Sequence, residues 1–444
     1  MPSYGLAPLL TEKDESESSE GGLDPLGTEP LADRLANKLA PGVRERQQHP
    51  RFLTTIAVSL SLCAEFGEET VARDGITEPW LVFEWHVVHG LVLLGSQQKV
   101  DLRGLPGRLK AEQALKEGVP LSPKSYLKTP SIFGFHGVYR VLAETLGIER
   151  NGFLGEQGYE LLMLWSREQG LDGFAGTCNG SGPNLREQLL EALRDGLARC
   201  AVARTNGWAG WRFFVNHLAH RNAGPKERKF LTRLLLEDGE GFRGEVLRFL
   251  VSPAGQRVWR REMDSDRWSE RAFHRALLDR ASPELRRLLQ AIDAYERFAR
   301  LIQNAFDECL YEMTRRRGYV SALELSRLDA VKQAGRAAPT ALREAAERLE
   351  PFGLALQFQQ LFGALGEGGT TSQWVEQLMA HHLETQRNKP PNGKLPWFEG
   401  DERGYIIRPL YRRDEPAGCD NDYVHLFRTR SLWSFASDLK MFKG

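Results

Sequence analysis

The chain has 444 residues, of which 41% are hydrophobic and 27% are charged, a balance typical of a soluble globular protein with several cores. Its 59 basic and 59 acidic residues give a formal net charge of zero, so the overall charge does not by itself indicate a nucleic-acid partner. The five cysteines are widely spaced, so they suggest neither a disulfide framework nor a zinc ribbon, and a reducing, cytoplasmic location is predicted. We expect no membrane partner, because no window reaches the roughly eighteen consecutive apolar residues of a membrane span.

Residues 1–30 are predicted to be a disordered acidic tail. Seven acidic residues and only one lysine occur there, with serine and glycine filling the gaps. So little apolar surface cannot offset the entropy lost when a chain becomes ordered. The tail carries about six negative charges, so the rest of the chain has a surplus of about six positive charges and is mildly basic.

Residues 31–120 are predicted to form a helical N-terminal domain. Leu31, Leu35 and Leu39 recur at the spacing of one helix face. The longest apolar stretch, WLVFEWHVVHGLVLLG, is interrupted only by Glu84 and two histidines. A helix that is apolar on all sides is buried, so this stretch predicts a core helix.

Residues 121–172 are predicted to form a winged-helix-like module. An amphipathic helix ends at Gly147, a tight turn follows around Asn151, and a second helix begins near Glu156. This order resembles the second half of a winged helix-turn-helix, in which the closing helix typically begins LTEKG where this chain has LGEQG. The alternatives are an ordinary helical hairpin and a winged helix used for protein contact. The resemblance implies phosphate or base-edge contacts from Lys124, Lys128, His136, Arg140 and Arg150.

Residues 173–350 are predicted to form a helical domain, because several stretches show an apolar stripe with arginines and acids outside it. The longest of them begins at Ser282, Pro283 and Glu284. Serine is a favoured residue at the N-cap position and proline at the first helical position. The sequence therefore predicts a helix that starts there.

A basic, aromatic segment lies within this domain at residues 198–233. It has eight basic residues against the single acid Glu227, with two tryptophans and two phenylalanines in WAGWRFF. Basic side chains neutralise phosphates and exposed aromatic rings stack on bases, so this segment has the strongest nucleic-acid signature in the chain. The alternative is that the aromatic residues are core and the arginines form a solvated face. The predicted contacts are Arg204, Arg212, Arg221, Lys226, Arg228 and Lys229.

No motif in the chain identifies a reaction or a metal. The glycine-rich stretch GTCNGSGPN lacks the lysine of a phosphate-binding loop, and its serine is not in a GxSxG context. His217 and His220 share a face if their segment is helical, but no third ligand is near them. We therefore predict no catalytic residue, no metal and no cofactor.

Residues 351–444 are predicted to form a C-terminal α+β segment, with strands in GYIIRPLY and YVHLFR. Before them, a helix ends at a Pro-Pro-Asn-Gly sequence. A histidine beside cations acts as a general acid or base on a phosphodiester, while the same cations without proton transfer form a binding surface. The structural alternative places His382 at the buried edge of the helix, where it bonds a neighbour. This possible phosphate or alternative active site consists of His381, His382, Gln386, Lys389 and Lys394.

Several stretches together carry a resemblance that spans most of the chain. They include APGVRERQQHPRFLT, AYERFARLIQNAFDECL and the ending that starts HHLETQRNKPPNGKLPWFEGDERGY. In these the chain is similar to a group of bacterial proteins found in anti-phage defence gene clusters. The resemblance implies a context, defence against mobile DNA, and the company of other subunits. It implies no reaction.

The sequence thus predicts a mainly α, multi-domain helical protein with a winged-helix-like module and a small α+β C-terminal segment. We expect a DNA-binding or target-sensing subunit of a multi-protein bacterial defence system, with double-stranded DNA and other subunits as partners. One alternative is an enzyme that processes a phosphodiester or nucleotide through the C-terminal histidines and lysines. Another is a scaffold that docks partner subunits.

Overall fold

The computed structural model describes residues 24–442, except positions 96, 97, 99, 177–179, 238, 240, 265–267, 391 and 417–420. Most of the predicted acidic tail, residues 1–23, therefore lies outside the described residues. The first elements are α1 (Glu29–Leu39), α2 (Phe52–Cys63), α3 (Pro79–Gly95), α4 (Arg108–Glu117), α5 (Pro130–Phe133), α6 (Phe135–Thr145), β1 (Glu149–Arg150), β2 (Phe153–Leu154), α7 (Glu156–Glu168), α8 (Ser181–Arg199) and α9 (Trp211–Phe213). They are followed by α10 (Pro225–Leu236), α11 (Arg243–Val251), α12 (Pro253–Asp264), α13 (Glu270–Leu278), α14 (Pro283–Arg316), α15 (Ala322–Leu325), α16 (Asp329–Leu349), α17 (Ala355–Phe362), α18 (Thr371–Arg387), β3 (Phe398–Asp401), β4 (Gly404–Ile407) and α19 (Thr429–Asp438).

The described residues are mainly α-helical, which confirms the predicted fold class. They form 19 helices and two antiparallel sheets of two strands each, β1 with β2 and β3 with β4. Among these residues no helix combines the length and the apolar composition that crossing a membrane requires.

Contacts divide the chain into two compact units. Unit 1 comprises Met1–Leu35 and Trp268–Leu426, and unit 2 comprises Ala36–Arg267 and Phe427–Gly444. Each unit joins segments that are far apart in the sequence, whereas each domain expected from the sequence is a single continuous range of residues. All eleven predicted DNA contacts lie in unit 2, and the C-terminal histidines lie in unit 1.

α3 is buried within unit 2, as predicted for the apolar stretch: 14 of its 17 residues are buried. Its one carboxylate, Glu84, binds the first turn of α6. Glu84 Oε2 accepts a hydrogen bond from the His136 backbone N–H at 3.0 Å, and Oε1 accepts one from the Tyr126 hydroxyl at 2.8 Å. The first backbone amides of a helix have no partner within the helix, so the buried Glu84 carboxylate finds a hydrogen-bond donor there. Burial raises the pKa of Glu84 to about 7.

The 34-residue α14 runs through unit 1 and packs along α16. The Ser282 side chain accepts a hydrogen bond from the Leu285 backbone N–H, and Pro283 opens the helix, as the sequence predicts. Its apolar stripe is buried from Leu285 to Met313. Opposite that stripe, α16 presents alanines, and small side chains let two helices approach closely.

One of the two predicted C-terminal strands is present. GYIIRPLY contains β4, which pairs with β3, and a single bridge joins Tyr405 to Val320. YVHLFR contains no strand, so that prediction is wrong. The backbone N–H groups of Val424 and His425 donate to the Glu296 carboxylate of α14 instead of to a neighbouring strand.

Candidate nucleic-acid interface

The predicted active-site histidine of α18, His382, binds the chain's own backbone. Its side chain is fully buried. Its Nε2 accepts a hydrogen bond from the Trp397 backbone N–H at 3.0 Å, so the proton is on Nδ1, which donates to the Pro25 carbonyl at 2.8 Å. Burial lowers the pKa of His382 to about 3. The structural alternative, in which His382 is buried and bonds a neighbour, is confirmed.

Other members of this cluster bind the adjoining carbonyls of the N-terminal segment. We call His381, His382, Gln386 and Lys389 the carbonyl clasp. Their remaining contacts are His381 Nε2 with Leu26 O at 2.7 Å, Gln386 Nε2 with Pro25 O at 3.3 Å, and Lys389 Nζ with Asp24 O at 2.7 Å. The fifth predicted residue, Lys394, lies past the end of α18, where its backbone N–H donates to the Gln386 carbonyl at 2.8 Å.

The clasp holds three consecutive carbonyls, those of residues 24–26. A general acid or base needs a ring nitrogen that faces the reacting atom, and both ring nitrogens of His382 are occupied. The lysine of the clasp is likewise engaged with a backbone oxygen. These contacts argue for a structural role and against the alternative active site.

The winged-helix-like segment has the expected order of helix, hairpin and helix. Two residues with positive φ, Asn151 at 53° and Gly152 at 83°, form the turn between β1 and β2, and such a turn matches the twist of a tight hairpin. Arg150 lies opposite Phe153 across the hairpin. Both side chains are exposed, so the tip presents a cation beside an aromatic ring. Each strand has only two residues, and the winged-helix assignment itself stays a prediction.

Two predicted DNA contacts on α6 are engaged inside the protein. The His136 ring is buried and stacks on Trp80, with centroids 4.9 Å apart, and burial lowers the pKa of His136 to about 4. Arg140 Nε lies 3.1 Å from a carboxylate oxygen of Glu144 and 3.2 Å from one of Glu149. A helix that reads base edges needs free polar side chains on its outer face. These contacts therefore argue against α6 as a base-reading helix.

The aromatic residues of the basic segment are core. Trp211, Phe213 and Phe214 are buried, and Trp208 is half-buried. Trp211 packs on His89 of α3, with ring centroids 4.6 Å apart. DNA bases therefore cannot stack on these three buried rings, and that prediction is wrong.

The two histidines of the segment do not share a helix face, so that expectation is wrong. His217 belongs to the π-helical turn Phe214–Leu218, and Ala219, with ψ at 136°, ends this turn before His220. The His217 Nδ1 lies 3.2 Å from the Gln169 side-chain oxygen. Among the described residues no group of three or more His, Cys, Asp or Glu side chains is placed to hold a metal.

Three further predicted DNA contacts have partners within unit 2. Arg204 forms an ion pair with Asp195 at 2.9 Å, and Arg221 forms one with Asp101 at 3.1 Å. The Arg228 guanidinium donates to the backbone carbonyl of Ala223. These arginines are less available to phosphates than the count of charges in the sequence suggests.

The remaining six predicted contacts are exposed. Within the part of the chain that the structure describes, their charged groups form no ion pair or hydrogen bond. We call them the cationic set: Lys124, Lys128, Arg150, Arg212, Lys226 and Lys229. An exposed, unpaired cation neutralises a phosphate without first giving up a protein partner.

Three members of the cationic set lie around one turn. Lys226 and Lys229 are one turn apart on the outer face of α10. The turn before α10 folds back onto the π-helical turn, because the Asn222 amide donates to the carbonyls of Val215 and Asn216, each at 3.0 Å. Arg212 lies one helical turn before Asn216, so the three cations belong to two segments that this turn brings together.

The inner face of α10 is fixed by a buried ion pair. Arg51 Nε lies 3.0 Å from the Glu227 carboxylate, which also accepts the Thr54 hydroxyl at 2.7 Å. At the start of α10, the Glu168 carboxylate accepts the backbone N–H groups of Lys226 and Glu227 at 2.7 and 2.8 Å. These contacts orient α10 with its lysines toward solvent.

A stacked histidine pair that includes His220 of the basic segment was not anticipated from the sequence. The rings of His49 and His220 stack with centroids 4.0 Å apart. The His49 Nδ1 lies 2.7 Å from the carboxylate of Asp438, 389 residues away. No local pattern indicates such a pairing.

Comparisons of the chain with protein-family models, with curated proteins and with solved structures give no match. No relative therefore supplies a function, and the argument for DNA contact depends on the site.

Proposed function

We propose that this protein is a DNA-binding or target-sensing subunit that contacts double-stranded DNA through the cationic set of unit 2. The observation that carries the proposal is the exposure of six cations with no protein partner among the described residues. Two of them, Lys226 and Lys229, lie on α10, which a buried ion pair holds in place. Exposed cations bind phosphates, and the affinity for DNA then depends on counterion release rather than on base sequence.

The proposal assigns no reaction to this chain. The C-terminal histidines that were the sequence's best catalytic candidates bind backbone carbonyls. The resemblance to proteins of anti-phage defence clusters supports the further proposal that other subunits supply catalysis. A cytoplasmic location is part of the same proposal, since mobile DNA enters that compartment. It is supported by the three described cysteines, Cys63, Cys200 and Cys309, which are free thiols.

A scaffold that docks acidic partner proteins is the competing proposal, because the same exposed cations would bind carboxylates. The two differ in whether DNA itself is bound: the scaffold predicts co-purification with a partner protein and no salt-dependent retention of DNA. DNA binding loses affinity linearly in log units of salt concentration, with a slope of about 0.9 per phosphate neutralised.

The test is fluorescence anisotropy of a labelled duplex with the full chain across a salt series. The variant Arg212→Ala/Lys226→Ala/Lys229→Ala is expected to reduce the slope by about three, roughly one for each cation. The matched control is Arg336→Ala/Arg343→Ala/Arg387→Ala, which removes the same charge from exposed, unpaired arginines of unit 1. Equal binding by both triple variants contradicts the assigned surface.

A further inference from the structure

A small pocket in unit 2 collects charged and titratable groups that the proposed interface does not use. Its lining includes His49, Arg51, Asp101, Arg103 and His220. The enclosed volume is about 10 Å³, which is room for about one water molecule. The pocket therefore admits a single atom, such as one oxygen of a larger group that lies at its mouth.

His49, one of the two stacked histidines, is held as an imidazolium. Its Nδ1 lies 2.7 Å from the Asp438 carboxylate, and its Nε2 lies 2.6 Å from the Arg103 carbonyl. A carbonyl oxygen only accepts hydrogen bonds, so Nε2 carries a proton, and the carboxylate draws a second proton to Nδ1. Burial opposes the charge, but the hydrogen bond and charge of Asp438 raise the pKa of His49 above its usual value.

His220, the other stacked histidine, is a neutral imidazole. Within the described residues neither of its ring nitrogens has a hydrogen-bond partner, and the ring is half-buried. Burial and the neighbouring charge of His49 lower the pKa of His220 to about 4. A neutral imidazole with both nitrogens free thus lies on an imidazolium.

Arg103 lines the pocket, and a second exposed arginine, Arg221, is paired with Asp101, which also lines it. Arg103 Nη2 is 2.6 Å and Arg221 Nη2 is 3.1 Å from one oxygen of Asp101. The Arg103 and Arg221 side chains are 79% and 63% exposed, against 15% for the carboxylate. A guanidinium has five N–H donors, so most donors of both arginines face solvent.

The charges of the pocket do not cancel. Asp438 balances the His49 imidazolium, and Glu227 balances Arg51. Two guanidiniums then share the single carboxylate of Asp101. One positive charge is left over, beside the His220 ring.

We propose that this pocket is an oxyanion site that takes one oxygen of a phosphate group at its mouth, with Arg103 and Arg221 as hydrogen-bond donors to the phosphate and His220 as a group protonated on binding. Burial and the charges of His49 and Arg221 oppose the protonation of His220, and Asp438 and Asp101 favour it. Arg51 and Arg103 are the other charged residues that line the pocket. A phosphate adds negative charge and a hydrogen-bond acceptor, so phosphate binding and proton uptake are coupled. The phosphate comes from the DNA backbone or from free phosphate, and only the first source rests on the proposed function.

The test is nuclear magnetic resonance of the histidine rings in the full chain labelled with ¹⁵N-histidine. The His220 signal is identified by its absence in His220→Gln. Inorganic phosphate and, separately, a short DNA duplex are titrated at neutral and at mildly acidic pH. The signal is expected to shift saturably with phosphate, with tighter binding at the lower pH.

Removing either arginine, in Arg103→Gln or Arg221→Gln, is expected to weaken phosphate binding, measured from the His220 shift, at least about tenfold, because each change removes a charge-assisted hydrogen bond. Arg199→Gln is the matched control, an exposed and unpaired arginine of the same unit. Equal weakening by the control contradicts the site. Thermal unfolding of each variant checks that the fold is intact.

The outcomes separate the two proposals. A shift with phosphate but no duplex binding by anisotropy supports the oxyanion site and refutes DNA binding. Duplex binding with a His220 signal unmoved by phosphate and by the duplex refutes the oxyanion site alone. A shift with both probes supports the site and identifies the DNA backbone as a source of the phosphate.

Discussion

Replacing His382 by alanine tests the structural role of the carbonyl clasp. The change leaves the buried Trp397 backbone N–H without its acceptor, which costs about 1 to 3 kcal/mol. It also opens a cavity where the ring packs between Phe306 and Phe398, with centroids 4.8 and 5.1 Å away, which costs about 2 kcal/mol. The Pro25 carbonyl keeps its bond from Gln386. We expect the free energy of unfolding to fall by about 3 to 5 kcal/mol.

The assay is chemical unfolding followed by circular dichroism, with His381→Ala as the matched control. His381 is half-buried and makes one hydrogen bond to the same segment, so its loss is expected to cost about 1 kcal/mol. A His382→Ala variant that unfolds like the wild type, or that costs no more than His381→Ala, would refute the reasoning. DNA binding by either folded variant is expected to be unchanged.

Two further predictions concern buried charge. Burial lowers the pKa of His86 to about 4 and the pKa values of His274 and His382 to about 3. An unfolded histidine titrates near 6.5. The stability that depends on these rings being neutral is therefore complete above about pH 6.5 and is lost as the pH falls toward the folded pKa values. Unfolding measured at pH 7 and pH 5 should show a loss of about 2 kcal/mol for each histidine, and a flat profile would contradict their burial. Replacing Arg51 by methionine leaves the Glu227 carboxylate buried without its cation and should cost about 3 to 5 kcal/mol. The double change Arg51→Met/Glu227→Gln should recover most of the lost free energy of unfolding. If it does not, the unpaired carboxylate is not the cause of the loss.

Elements set by local pattern were predictable from the sequence. The apolar stretch that became α3 and the serine-proline start of α14 have local causes, burial on every side and an N-cap. The strand expected in YVHLFR failed for a tertiary reason. Its backbone N–H groups found a carboxylate on α14, which a period-two pattern does not reveal.

The site was predictable only as a set of residue types. The basic segment was recognised by its charge, but the pairing that removes Arg221 from the free cations comes from Asp101, 120 residues earlier. The clasp depends on His382 meeting Pro25 across 357 positions. Contacts of such separation leave no local signal, so the sequence overestimated the number of available cations and left the role of the histidines open.

The central claim is that the exposed cations of unit 2 bind duplex DNA, and the salt-dependent anisotropy of Arg212→Ala/Lys226→Ala/Lys229→Ala tests it most directly. The account predicts salt-dependent binding by the wild type, a slope reduced by about three in this variant, and little change in the matched unit 1 control. No binding of the duplex at low salt, or the same slope in all three proteins, would contradict it.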